Sequence, residues 1–265
     1  MNLQFYKYEG TGNDFIILDN RTGEYNHLSQ SQVKFMCDRH FGIGADGLML
    51  LTMAPGFDFA MTYYNSDGGS SDGGQSSMCG NGGRCLVKFA YDMGIHLVNY
   101  HFLAVDGEHE AFFGERGWVQ LKMKDVGNIA HHHFGDAVLD TGSPHYVKIV
   151  SDVRHFNVFE EGKNIRYNNE FREKGINVNF VQSEDKSIMV RTYERGVENE
   201  TLSCGTGVTA AALVLAHNEQ GFNHLEVETL GGHLAVEFEK NHNNFTNIWL
   251  CGPATFVFSG EIKLE

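Results

Sequence analysis

The sequence predicts an α+β protein of two pseudo-symmetric domains, each a mainly antiparallel or mixed sheet curled around a central helix. Three observations carry this. The stretch "SSMCGNGGRCLVKFA" (76–90) returns as "LSCGTGVTAAALVLA" (202–216), a cysteine before a glycine-rich turn that opens an apolar helix. The blocks around it return in the same order about 125 residues later, which marks a duplicated unit. Strands come in groups before and after one helix instead of alternating with helices, which argues against a doubly wound sheet. The halves are expected at 1–125 and 126–254, with a C-terminal strand at about 255–265 returning to the first.

The elements follow in chain order. "GTGNDFIIL" (10–18) matches "DTGSPHYVKIV" (140–150), each a Thr-Gly turn feeding an apolar strand. "FGIGADGLMLL" and "KGINVNFVQ" come next in their halves, then "FAMTYYNSDG" and "SIMVRTYERG", strands ending in turns. The helices are "GGRCLVKFAYDMG" and "GVTAAALVLAHNEQG", with Gly94 and Gly221 in stop position. The second is apolar almost all round, so it is expected to be buried. Two-strand units turning on glycine follow, "YHFLAVDGEHEAFF" and "HLEVETLGGHLAVEF". The tail "GPATFVFSGEIKLE" opens with a turn and ends as a strand.

Composition narrows the function. The 265 residues are 42% hydrophobic and 20% charged, which suits a globular chain with a real core. A net charge of −14 and the lack of any basic run argue against nucleic-acid binding. No apolar run reaches the roughly 18 residues of a membrane helix, and the start lacks a signal-peptide pattern. The expected location is the cytoplasm. Cys37, Cys79, Cys85, Cys204 and Cys251 are too few and too scattered for a disulfide framework, and none has zinc-site spacing. The run His131-His132-His133 reads as a loop or polar strand end, because adjacent histidines point in different directions. No metal is expected.

The chemistry rests on Cys79 and Cys204. A cysteine just before a helix lies beside free backbone N–H groups, here those of Gly80 and Asn81 and of Gly205 and Thr206. Such termini favour anions, so each site suits a thiolate and a substrate carboxylate. Two thiols related by the repeat can take a proton from one face of a carbon and deliver one to the other. Inversion of an amino-acid α-carbon without an electron-sink cofactor then depends on preorganised dipoles and exclusion of water. No motif calls for a cofactor. The competing reading makes both cysteines small packing residues beside glycines; the repeated Cys-Gly-polar-Gly pattern favours chemistry. Cys37, Cys85 and Cys251 lack that context and read as packing residues.

These residues resemble the diaminopimelate epimerase family of cofactor-independent two-cysteine enzymes. "GTGNDF", "GIGADG", "YNSDG", "MCGNGGRC", "GSPHYV", "GINVNF", "YERG", "CGTG" and "GPATFVFSGEI" occur in the family's order along almost the whole chain. The resemblance implies conversion of LL-diaminopimelate to the meso form, for lysine and peptidoglycan synthesis, with Cys79 and Cys204 as the two bases. It implies that the N–H groups of Gly80, Asn81, Gly205 and Thr206 hold the reacting carboxylate. Asn13, Asn65, Asn177 and Arg195 then contact the substrate, chiefly its distal end. Glu194 and His145 fall near the reacting end, to hold and orient the ammonium. A homodimer is compatible with it. Ser143 stands where an asparagine often contacts substrate, and Gly47 where some members carry glutamine. The loop "SDGGSSDGGQSSM" before Cys79 is longer than usual and reads as a flexible lid. Arg195 to Cys204 is also about one residue longer than in many members.

Rival readings remain. Proline racemases and hydroxyproline epimerases share the fold plan but typically carry histidine where this chain has Asn81; phenazine-type isomerases lack the matched cysteines. "GTGVTA" (205–210) formally fits a dinucleotide turn, yet polar "ERGVENETLS" separates it from the preceding strand. A cysteine hydrolase using Cys204 and His145 would not need Cys79. A metabolite-binding protein would need neither thiol.

Overall fold

Short runs of Val, Ile, Leu, Phe and Tyr closed by glycine turns make this a strand-rich chain. The computed structural model describes residues 2–69, 79–114, 117–132, 135–184 and 187–264. They divide into two units, Met1–Leu121 with Pro253–Glu265, and Lys122–Gly252. The lid expected before Cys79 lies largely in 70–78, outside the described residues, as does His133.

The first unit holds β1 (Asn2–Gly10), β2 (Asn13–Asp19), α1 (Gln30–Cys37), β3 (Gly47–Thr52) and β4 (Phe59–Asn65). It continues with α2 (Gly80–Asp92), β5 (Asn99–Ala104), β6 (Gly107–Phe113) and β7 (Trp118–Lys122). The second holds β8 (Ala130–His131), β9 (Ala137–Asp140), β10 (Pro144–Ile149), α3 (Val158–Arg166) and β11 (Asn177–Ser183). There follow β12 (Ser187–Glu194), β13 (Asn199–Thr201), α4 (Gly205–Val214), β14 (Gln220–Thr229), β15 (Gly232–Asn241) and β16 (Asn244–Pro253). The last strand, β17 (Thr255–Lys263), belongs to the first unit.

Both units repeat one series of pairings. From β1 to β7 neighbouring strands pair antiparallel, parallel, antiparallel, parallel, antiparallel and antiparallel. The series β9, β10, β11, β12, β14, β15, β16 gives the same six relations. Each parallel crossover contains its own helix, α1 and α2 in the first unit and α3 and α4 in the second. An extra antiparallel strand flanks each first strand: β17 beside β1, and β8 beside β9. This is an α+β fold with mixed, mainly antiparallel sheets.

Helices cover both sheet faces, so the central strands are buried on both sides. Phe15 to Leu18 of β2 are all buried, as are Asn177 to Val181 of β11. The larger helix of each unit lies against several strands: α2 on β1, β2, β3, β6 and β17, and α4 on β9, β10, β11, β12, β14 and β15. Around α4 gather Val181, Val190, Leu225, Val236 and Leu250. On the opposite faces, Val33 and Met36 of α1 cluster with Leu3, Ile16 and Leu50, and Val158 of α3 clusters with Val178, Phe180 and Tyr193.

The structure differs from expectation at three points, the first being the tail, whose Gly252 and Pro253 end β16 where a turn is expected. Each unit carries a second helix, α1 or α3, which apolar periodicity does not reveal. The α1 start is a capping box, with Ser29 Oγ accepting from the Gln32 N–H and Gln32 Oε1 from the Ser29 N–H. Helix α4 also stops at Val214, short of Gly221, which lies in β14 with φ 89°. Asn218 and Asn223 account for this. The Asn218 N–H donates to Asn223 Oδ1 at 2.8 Å and its Nδ2 to the Phe222 carbonyl at 2.7 Å. Side-chain amides thus take over the backbone groups a longer helix would use.

Candidate functional site

Both cysteines are helix N-caps with extended backbones, Cys79 at φ −72°, ψ 118° and Cys204 at φ −118°, ψ 109°. Neither sulfur caps its own helix. The Gly83 N–H closes onto the Cys79 carbonyl and the Val208 N–H onto the Cys204 carbonyl, both at 2.8 Å. The N–H groups of the first three residues of each helix therefore precede the intrahelical ladder. An anion there gains roughly 0.3–1 kcal/mol from the aligned dipoles, more when partly buried.

In the first unit, the β1–β2 hairpin turns on Thr11 and Gly12, with φ 52° and 83°. This delivers Asn13 to the start of β2. Asn13 Oδ1 accepts from Cys79 Sγ at 3.5 Å and from Asn81 Nδ2 at 3.4 Å, and its Nδ2 donates to Asp46 at 2.6 Å. Left-handed φ is costly for a β-branched residue. Thr11 is held there by Arg84, whose Nη2 donates to Thr11 Oγ1 at 3.2 Å and Asn81 Oδ1 at 3.1 Å. Arg84 is fully buried and also reaches the carbonyls of Gly80 and Pro253. Gly80 and Asn81 are buried, whereas Asn65 is exposed at the end of β4, opposite Gly47. A Cβ on Gly47 would meet the Tyr63 ring at 2.5 Å, so an aromatic fills the space beside it.

In the second unit, Cys204 is 8% exposed and its sulfur lies 3.5 Å from Thr206 Oγ1. The Thr206 carbonyl accepts from Thr141 Oγ1 at 2.9 Å. Asn177 opens β11, with Nδ2 donating to Ser143 Oγ at 2.9 Å and Oδ1 accepting from the Arg195 N–H at 2.8 Å. Three expected site residues are thus joined. Glu194 accepts from Thr201 at 2.9 Å, and the exposed Arg195 donates to the Lys174 carbonyl at 3.1 Å. Gly205 is buried and Thr206 half-buried.

His145 is fully buried at the start of β10. Burial first, and Arg195 second, push its pKa down to about 3, so the imidazole is neutral. Burial likewise pushes the Cys37 thiol up to about 12 and Cys85 higher still, which leaves both as packing thiols. His132 meets Glu170 at 3.4 Å, beside the rings of Tyr146 and Phe171. Among the described residues no group of three or more His, Cys, Asp or Glu gathers as a metal site.

The diaminopimelate epimerase family model matches residues 5–108 and 137–257. The chain belongs to the diaminopimelate epimerase family. A diaminopimelate epimerase of Flavobacterium psychrophilum is 46% identical over 98% of this chain and 100% of its own length. That of Chlorobaculum tepidum is 40% identical over 96% and 99%. Among solved structures, a phenazine biosynthesis protein of the PhzF family from Bacillus anthracis gives a TM-score of 0.76 at 13% identity, covering 100% of both chains. A probable proline racemase from Agrobacterium radiobacter gives 0.67 at 13% identity, over 99% of this chain and 93% of that one. These likenesses place the fold in a shared group.

Sequence reasoning missed Asp46, Asn179, Thr192 and Glu198. Glu198 sits at φ 56° in the turn between β12 and β13. Its carboxylate accepts from the Gly196 N–H at 3.1 Å and Tyr193 Oη at 3.2 Å, and meets Arg166 at 3.3 Å. It braces the turn that carries Glu194 and Arg195. The extra residue in this stretch was the available signal.

Proposed function

We propose that the protein interconverts LL- and meso-diaminopimelate, supplying the meso form for lysine and peptidoglycan precursor synthesis. The observation that supports the chemistry most is the recurrence of an uncapped N-cap cysteine at the same topological position in both units. In this reading one thiolate takes the α-proton while the opposite thiol delivers its own proton to the other face. The C–H bond broken and the C–H bond formed lie on the same carbon, and the two sulfurs exchange protonation states. Backbone N–H groups of Gly80, Asn81, Gly205 and Thr206 hold the α-carboxylate, where charge builds as the proton leaves. Asn13, Asn65, Asn177, Ser143 and Arg195 bind the distal end, and Glu194 holds the reacting ammonium. The two units act as the two epimerase halves, and the chain works as a cytoplasmic homodimer. The exposed run Phe256, Val257 and Phe258 of β17 suits such contact.

Incubation with LL-diaminopimelate in deuterated water tests the reading. The expected product is meso-diaminopimelate carrying deuterium at the inverted carbon. Inversion of proline or hydroxyproline, with diaminopimelate untouched, would replace it with the rival substrate class.

A further inference from the structure

Behind Cys204 lies a buried polar network that the two-thiol chemistry does not use. Asn179 of β11 and His145 of β10 are both wholly inaccessible. Asn179 Nδ2 donates to the Tyr146 carbonyl at 3.0 Å and lies 3.1 Å from His145 Nδ1. Its Oδ1 accepts from Thr192 Oγ1 at 2.9 Å and lies against the first turn of α4, where a Cβ on Gly207 would come within 2.3 Å of it.

The orientation of this amide follows from its partners. The Tyr146 carbonyl can only accept, so the atom facing it is the nitrogen. That nitrogen also faces His145 Nδ1, which therefore accepts. The imidazole proton is left on Nε2, and a second proton on Nδ1 would set two donors against each other. An amide oxygen facing the ring would favour the charged form, but the Tyr146 carbonyl forbids it. Among the described residues no group accepts from His145 Nε2. A buried donor without an acceptor is costly, and the Asn179 that faces this ring packs against the first turn of the helix that Cys204 caps.

We propose that Asn179 is a positioning residue that fixes His145 as the neutral Nε2–H tautomer, making it a hydrogen-bond donor to the bound substrate's carboxylate. It is neither a base nor an acceptor for the ammonium. The equivalent positions of the first unit, by strand register, are Phe15 and Met49, and they have no such group. The donor therefore serves only the Cys204 side. Its effect on turnover rests on the epimerase reading; the tautomer does not.

The test is long-range proton–nitrogen NMR on the full-length, nitrogen-15-labelled protein, with the His145 signals assigned by their loss in His145→Gln. Wild type should show a pyrrole-type Nε2 and a pyridine-type Nδ1, unchanged between pH 8 and 5. Asn179→Asp presents a carboxylate to the ring and should move the proton to Nδ1. Asn179→Ala should release a tautomer mixture and lower kcat/KM on diaminopimelate roughly 10- to 100-fold, a cost typical of a misplaced group. An Nδ1–H tautomer in wild type overturns the proposal, even if neither variant folds. So does unaltered turnover in a folded Asn179→Ala with the tautomer released. A wild type with the expected tautomer but no action on diaminopimelate supports the assignment and counts against the epimerase reading alone.

Discussion

Adding one methyl group to the second glycine of each Cys-Gly-polar-Gly turn should destabilise the second unit and leave the first nearly unchanged. At Gly207 the new Cβ would lie 2.3 Å from Asn179 Oδ1 and 3.3 Å from Thr192 Oγ1. Asn179 is 0% and Thr192 3% exposed, so neither can retreat into water. Overpacking costs about 1–3 kcal/mol. Displacing the carboxamide also leaves buried polar groups unpaired, at about 1–3 kcal/mol. The gain of alanine over glycine in a helix returns about 1 kcal/mol. Gly207→Ala should therefore destabilise by roughly 1–5 kcal/mol. At Gly82 the nearest atom is Met49 Sδ at 3.2 Å, the far end of a flexible thioether. There the helix gain and the small displacement nearly cancel, and Gly82→Ala should stay within about 1 kcal/mol of wild type. Urea unfolding followed by tryptophan fluorescence resolves the difference, with Trp118 in the first unit and Trp249 in the second. A Gly207→Ala protein that unfolds at the wild-type urea concentration would refute the packing argument.

Three further outcomes are expected. Cys79→Ala and Cys204→Ala should each lose epimerisation by about 10²- to 10⁴-fold yet exchange the α-hydrogen of opposite isomers, seen as deuterium uptake from LL and from meso substrate. Near wild-type epimerisation by either variant would end the two-base reading. Glu198→Ala and Glu198→Gly should both raise KM roughly 10-fold with a smaller change in kcat, because the brace on the Arg195 turn is lost; steady-state kinetics with unchanged KM would show the brace to be idle. For His145 the folded pKa lies near 3, below the ordinary 6.5, so its contribution is complete above about pH 6.5 and lost as pH falls toward 3. The slope is about 1.4 kcal/mol per pH unit in that window. It should be missing from His145→Gln when urea unfolding is compared at pH 7, 6 and 5, and equal slopes would contradict it.

What the sequence disclosed depended on whether the signal was local. The cysteines were legible because glycine spacing around each is short-range, and the repeat because whole blocks recur in order. Gly94 was read correctly as a helix stop since its φ of 94° follows α2 directly. Gly221 misled, because α4 stops at Val214 and the Asn218–Asn223 amide pairing beyond it closes a turn no propensity describes. Asn177 and Asn179 stand two apart in "GINVNF", yet only the first was singled out. The role of the second exists only once β10 and β11 pair in parallel and bring His145 beside it, 34 residues away in the chain. Arg84 shows the same limit. Its burial against Thr11 and Asn81 cannot be read from a helix position that could equally face solvent.

The pairing of β17 with β1 sets an order on synthesis. Asn2 lies opposite Lys263, and Phe5 and Tyr8 contact the rings of Phe258 and Phe256. A ribosome making this chain delivers every strand of the second unit before the strand that completes the first. The nascent first unit must wait with one side of β1 uncovered while about 130 further residues emerge, roughly 6 to 26 seconds at ordinary elongation rates. The second unit needs no such wait. It is the part able to fold first during translation, although most of the first unit precedes it, and the Cys204 helix should be seated before the Cys79 helix. Chaperone contact during synthesis should accordingly concentrate on the amino-terminal strands.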